Sequence, residues 1–313
     1  MTSPIPVTVV IPVRNEERML SGCLEALAAQ DYAGDIEVLV VDGSSTDRTR
    51  EVANAGGARV LDNVRCIQSC GLNLALAEAA GEVLVRVDAR TRVGSDYVTR
   101  CIETLDRTQA ALVGGAQVPL GETVDGMGIA AALASPLGGG PAAFRRPDVS
   151  RWADTVYLGA LRVKLAREVG GWRDDRPTNE DADLAYRLRA HGGVWLDASI
   201  RSTYLCRDRL GDVARQYRSY GRGRARTMLE DPRSASLRQL APLALLAGLV
   251  SPWRSRVALI YGSAIALALS GVGLRLPARS AAVAALAVPT MHLAWALGFC
   301  EGVIRVQGTT RSR

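Results

Sequence analysis

Val83 to Arg92 reads VLVRVDARTR. The apolar residues Val83, Leu84, Val85 and Val87 have the composition of a buried strand, and Asp88 falls where that strand ends and a loop opens. In an open α/β sheet, ligands bind at this carboxyl-terminal edge. Taken alone, the stretch leaves two readings of Asp88: a loop-capping acid flanked by solvated Arg90 and Arg92, or a binding-site acid.

Upstream, Val7 to Val13 reads as a buried strand leading into Arg14-Asn15-Glu16-Glu17, where Asn15 is placed to cap a helix continued by Leu20, Leu24 and Leu27. Ile36 to Val41 is a second apolar run ending at Asp42, and the turn cluster Gly43-Ser44-Ser45-Thr46-Asp47 then opens another helix. Ala58 to Leu61 is a short third strand and Gly71 to Ala80 a helix. Strands alternating with helices at this spacing predict a parallel, doubly wound sheet. Asp42 and Asp88 then share one sheet edge, which favours the site reading. PVRNEE follows the first strand without GxGxxG, and no GxxxxGK(S/T) occurs, so bound phosphate needs a metal or arginines.

Downstream come a helix at Ser95 to Arg107, a strand at Ala111 to Gln117, and a Gly-, Pro- and Ala-rich segment at Pro119 to Pro147. That segment reads as a loop, either a binding lid or a tolerated insertion. Arg151 to Ala160 returns to the sheet. In Thr178 to Leu188, TNEDADLAYRL, Asn179 caps a helix whose first turn carries Glu180, Asp181 and Asp183. Acids there are favoured by about 0.3–1 kcal/mol each through the helix dipole, which is reason enough for an acidic first turn. The spacing separates them, however: Asp183 pairs with Arg187, while Asp181 lies on the inward face with Ala185 and Leu188, as a general base would. Val194 to Ile200 is a further strand.

With 313 residues, 48% of them hydrophobic, the chain can bury a sizeable core. Its net charge of +6 comes with only 5% aromatic residues and no common nucleic-acid motif, so a membrane surface is the expected anionic partner. Cys23, Cys66, Cys70, Cys101, Cys206 and Cys300 show no CxxC spacing, and MTSPIPVTVV lacks a signal-peptide plan, which places the catalytic part in a reducing cytoplasm. With His191 and His292 as the histidines, carboxylates must carry acid–base work.

The segment 207–230 is basic, with Arg207, Arg209, Arg215, Arg218, Arg222, Arg224 and Arg226 interleaved with Tyr217 and Tyr220, and is placed to meet anionic headgroups or a phosphate-bearing lipid. From Leu240 the chain turns apolar: Val257 to Leu274 and Ala281 to Ile304 approach the ~20 residues of a spanning helix. A soluble helical subdomain would give the same pattern. The expected division is a catalytic domain over 1–232 and hydrophobic helices over 233–313, with two or three membrane segments.

The order IPVRNEE, VVDGSSTD, VRVDAR, NEDADL and QYRSYGRGRAR before an apolar tail resembles the family 2 inverting glycosyltransferases of GT-A fold, especially the membrane-associated succinoglycan type. The resemblance covers roughly residues 7–230. It implies an α/β, doubly wound, mostly parallel sheet that transfers a sugar from a nucleotide sugar, a UDP-sugar, to a lipid-linked acceptor at the cytoplasmic face of the cell membrane. It places Pro12, Arg14, Glu16, Asp42 and Ser44 around the nucleoside and Asp88 at the diphosphate, where Arg90, which departs from the family's motif, is expected to help neutralise phosphate. It further implies Mg²⁺ or Mn²⁺ on Asp88, Asp181 as catalytic base beside Glu180, and Arg215, Arg218 and Arg222 on phosphate or the lipid acceptor. Two departures stand out. Arg90 replaces the second acid of the DxD motif, and Ser219 replaces the tryptophan of the processive-synthase motif. The alternatives are a polyprenyl-phosphate glycosyltransferase and a noncatalytic nucleotide-sugar-binding subunit of a polysaccharide assembly complex.

Overall fold

The structure, a computed structural model, describes residues 4–138, 143–145, 148–174, 179–230, 232, 237–273 and 275–310. Two compact units are distinguished, Met1–Val118 with Ala142–Tyr204, and Pro119–Pro141 with Leu205–Arg313.

The first unit is built on a sheet whose strands are β1 (Val7–Val13), β2 (Ile36–Asp42), β3 (Arg59–Asp62), β4 (Val83–Arg86), β5 (Thr91–Val93), β6 (Leu112–Leu120), β7 (Arg151–Trp152), β8 (Tyr157–Arg162) and β9 (Val194–Leu205). Their order is β3-β2-β1-β4-β8-β6-β9-β5, with β7 pairing on β9. The β1–β2, β1–β4 and β2–β3 pairs are parallel; β8 joins β4 and β6 antiparallel.

Alternation along the strands feeds two cores. On one face Val7, Val9, Ile11, Val13, Val40, Val83 and Val85 meet helices α1 (Glu17–Ala28), α2 (Thr49–Ala55) and α4 (Tyr97–Thr108) through Leu20, Leu24, Ala53, Val98 and Leu105. On the other, Val10, Leu39, Val41 and Leu84 meet α3 (Gln68–Glu78), α6 (Val163–Glu168) and α7 (Glu180–Leu188) through Leu72, Leu76, Ala166, Leu184 and Leu188. The sheet is therefore doubly wound, as its sequence predicts. From β1 the chain moves outward to β2 and β3 and then returns to β4 on β1's other side, so a topological switch point lies at the carboxyl ends of β1 and β4.

The second unit contains α5 (Val124–Ala134), α8 (Leu210–Glu230), α9 (Leu237–Val250), α10 (Arg254–Gly273) and α11 (Ala278–Thr310). The α8 and α11 backbones meet directly: a Cβ on Gly221 would collide with the Trp295 carbonyl, and one on Gly298 with that of Arg218. That packing groups α8 with the apolar helices in the second compact unit.

The Gly- and Ala-rich segment after Pro119 is not simply a loop. Thr123 caps α5 by accepting from the Gly126 N–H at 3.0 Å, and Ser280 Oγ donates to the Val124 carbonyl at 2.7 Å. Its glycines mark close helix contact, since a Cβ on Gly128 would strike the Ser280 carbonyl. Most of GGGPAAFRRP, residues 138–147, lies outside the described residues. Among the described residues one helix, Ala278–Arg305, is long and apolar enough to cross a membrane by length and composition.

Candidate active site

At the switch point, β1 and β4 deliver their ends side by side, with Val10 opposite Arg86. Arg86 closes β4 and Asp88 follows two residues later, on the same face by strand period. Arg86 is 6% exposed, a charge that burial alone would suppress, yet it is held firmly protonated by Asp181, Asp88 and Glu180. Its Nε donates to Asp88 Oδ1 at 3.1 Å, its Nη1 donates to Asp181 Oδ1, and Glu180 Oε1 stands 3.7 Å from Nη1. The Trp172 indole Nε1 donates to the same Asp181 oxygen at 3.2 Å. Residues 95 apart in sequence thus share one polar knot.

The acids of α7 divide differently from the helical-face reading. Glu180, at 7% exposure, is the buried one, packed on the side of Leu184, Ala185 and Leu188, and burial followed by the neighbouring Asp181 charge pushes its carboxyl up to about 8. Asp181 keeps 48% of its side chain exposed beside Arg86. A helix start explains this, because backbone entering the first turn turns successive side chains toward quite different surroundings. Asp183 pairs with Arg187 at 3.0 Å as the spacing predicts, but in a largely buried setting. Asn179 precedes α7 with a φ of 68° and makes no side-chain cap bond, so it serves as a left-handed entry residue and not as the expected cap. Thr178 lies outside the described residues.

Asp42 ends β2 opposite Val13, buried, accepting from the Ser45 N–H at 3.2 Å and paired with Arg50 at 3.2 Å; Arg50 also binds Asp62 at the end of β3. Ser44 is exposed with a φ of 56°. Pro12 lies in β1 and Arg14 is exposed just beyond it. Asn15 does not cap α1: its φ is 54°, and its Oδ1 accepts from the Thr46 N–H at 2.8 Å, tying the loops after β1 and β2 together while Glu16 takes the cap position. Arg90 Nε donates to Glu16 Oε1 at 3.0 Å, whereas Glu16 Oε2 is buried with no hydrogen-bond partner among the described residues. Pro12, Glu16, Asp42, Asp88, Arg90 and Asp181 therefore all belong to the carboxyl edge of the first unit.

Residues 8–135 match glycosyl transferase family 2, and residues 83–298 match glycosyl transferase family group 2. The succinoglycan biosynthesis protein ExoA of Rhizobium meliloti (strain 1021) is 34% identical, covering 93% of this chain and 93% of its own. The chain belongs to the family 2 glycosyltransferases. A Methanococcus voltae relative, a dolichyl N-acetyl-alpha-D-glucosaminyl phosphate 3-beta-D-2,3-diacetamido-2,3-dideoxy-beta-D-glucuronosyltransferase, is 26% identical over 69% of this chain and 71% of its own. Among solved structures, the mannosyltransferase PcManGT from Pyrobaculum calidifontis, in complex with GDP-Man and Mn²⁺, superposes with a TM-score of 0.57 at 20% identity over 96% of this chain and 88% of that one. The fold is the GT-A fold.

Two neighbours of the site in this glycosyltransferase escaped the sequence reading, Arg86 and Trp172. Arg86 carried a signal: an arginine inside an otherwise apolar strand, two residues before an acid, must share that acid's face. Trp172 carried none, since no strand or helix period links it to Asp181, nine residues on. The basic helix of the glycosyltransferase belongs to the second unit, where Arg215 pairs with Asp212, and Arg218 and Arg222 both meet Glu301 of α11.

Proposed function

We propose that this glycosyltransferase moves a sugar, with inversion, from a UDP-sugar to a lipid-linked saccharide acceptor at the cytoplasmic face of the cell membrane, in bacterial polysaccharide or glycolipid synthesis. The observation that carries the reading is the half-exposed Asp181 carboxylate at the sheet's ligand-binding edge, within the same knot as Asp88. Asp181 takes the proton of the acceptor hydroxyl, whose oxygen attacks the anomeric carbon from the face opposite the nucleotide. Asp42 and Ser44, with Pro12 and Arg14, receive the nucleoside. Glu16, whose buried Oε2 lacks a partner among the described residues, is the acid of this edge best placed to take a hydrogen-bond donor from the nucleotide.

Mg²⁺ or Mn²⁺ fits the residues present. Asp88 leaves 33% of its side chain exposed, and a divalent ion bound through one carboxylate, substrate phosphates and water needs no protein cage; among the described residues no cluster of three or more ligating side chains occurs. When bound, the ion supplies positive charge to the diphosphate leaving group. Arg90, fixed by Glu16, adds a nearby guanidinium.

The name of the Methanococcus voltae relative supports a lipid-linked acceptor and that of ExoA a polysaccharide product. Membrane association is supported by Ala278–Arg305 and by exposed Leu259, Ile260, Leu267, Leu286 and Ile304 on α10 and α11. We take residues 1–232 as the catalytic domain and 233–313 as its membrane-associated helices.

The test is turnover by the full chain with a panel of UDP- and GDP-sugars, a lipid-linked saccharide, and Mg²⁺ or Mn²⁺. Asp181→Asn is expected to abolish transfer while nucleotide-sugar binding persists; near-normal turnover sinks the base assignment. Sugar attached directly to polyprenyl phosphate would favour the first alternative, and donor binding without any transfer the noncatalytic one.

A further inference from the structure

We infer that Arg86 is a positioning residue for the transfer reaction, a buried fork that fixes the base Asp181 and the donor-site acid Asp88 relative to each other. The inference rests on the proposed roles of those two acids and goes beyond them. Two nitrogens of the Arg86 guanidinium serve different carboxylates: Nε reaches Asp88 Oδ1 at 3.1 Å, and Nη1 binds Asp181 Oδ1. A planar guanidinium holds such a pair at a set angle, which one ammonium on a flexible stem cannot do.

The arrangement around Asp181 is directional. Arg86 Nη1 and Trp172 Nε1 both donate to Oδ1, and Oδ2 has no hydrogen-bond donor among the described residues. One oxygen is anchored and the other is left for the acceptor hydroxyl. What Arg86 contributes is direction, since its planar fork sets the angle between the two carboxylates it binds. The anchor is itself rigid: Arg86 ends a buried strand, and Trp172 is 3% exposed. Without Arg86, Asp88, Glu180 and Asp181 would lose the cation that joins them among the described residues.

A counter-ion role alone would lower stability and leave the chemistry of the folded fraction intact. A positioning role separates kcat from donor binding. The experiment compares wild type, Arg86→Lys, Trp172→Phe and Asp181→Asn as full chains, using the donor that wild type turns over from the UDP- and GDP-sugar panel. Melting temperature, donor KM and kcat per folded protein are measured. A displacement of about 1 Å at the base costs on the order of 10²-fold in rate, so Arg86→Lys is expected to lose about that much kcat with donor KM within about threefold. Trp172→Phe, which removes one of two anchors, is expected to lose roughly tenfold in kcat with KM unchanged. Trp172→Phe carries the test by itself if Arg86→Lys does not fold.

Wild-type kcat per folded protein in both Arg86→Lys and Trp172→Phe, beside an inactive Asp181→Asn, overturns this inference alone. A wild-type rate in Asp181→Asn overturns the base assignment, and this inference with it.

Discussion

Glu180 is a carboxylic acid whose surroundings work against its charge. Its folded value of about 8, raised by burial and by Asp181, lies above the 4.5 of a free side chain. Between those two values the folded chain holds a proton that the unfolded chain has released, so stability falls as pH rises across that window. The contribution is complete below the unfolded value and gone above the folded one. Glu180→Gln should therefore match wild type near pH 4.5 and exceed it at pH 9, read as urea midpoints over a pH series. A variant that loses ground as pH rises would show that Glu180 is held ionised. Asp197 in β9 behaves in the opposite sense. Burial would raise its carboxyl, but hydrogen bonds from Ser199 and Arg107 outweigh burial and hold it below the usual range. Its stabilisation is present above the unfolded value and lost as pH falls through the folded one. Asp197→Asn is expected to cost about 1–3 kcal/mol at pH 7, with the gap to wild type closing toward pH 3 in the same denaturation series.

At the scale of elements, the close contact of α8 and α11 depends on glycine. Gly298→Leu would drive a side chain into the Arg218 carbonyl and should destabilise the second unit by about 1–3 kcal/mol. Gly262, on α10 with open space around it, is the contrast: Gly262→Ala should raise stability by up to about 1 kcal/mol. Thermal unfolding of the two variants side by side separates them, and equal tolerance would refute the packing. Sequence alone was a good guide wherever an element's own period determined its partners. The apolar runs of β1, β2 and β4, the acids at their ends, and the Asp183–Arg187 pair could all be read directly. It failed wherever a distant element decides. Thr46 holds Asn15, α11 covers Gly128 of α5, and Arg86 is neutralised by a helix far along the chain. No local pattern records these partners.

For the whole molecule, the proposed membrane association has a physical signature. A chain inserted through Ala278–Arg305 should sediment with vesicles and stay there through both a high-salt and an alkaline wash, because apolar burial in lipid is indifferent to ionic strength. Release by salt alone would reduce the association to arginines on headgroups. The order of the chain also has a consequence for synthesis. Arg86 enters the sheet with β4, but Asp181 arrives only with α7, 95 residues later. Until then a guanidinium at a buried position has just Asp88 beside it, and a buried charge stripped of a partner costs about 3–5 kcal/mol. A chain terminated before α7 lacks Glu180 and Asp181, two of the three acids that meet Arg86, and with them the proposed base. Such a copy is expected to be cut by protease faster than the full chain, and equal resistance of the two would refute the dependence of the sheet's centre on α7.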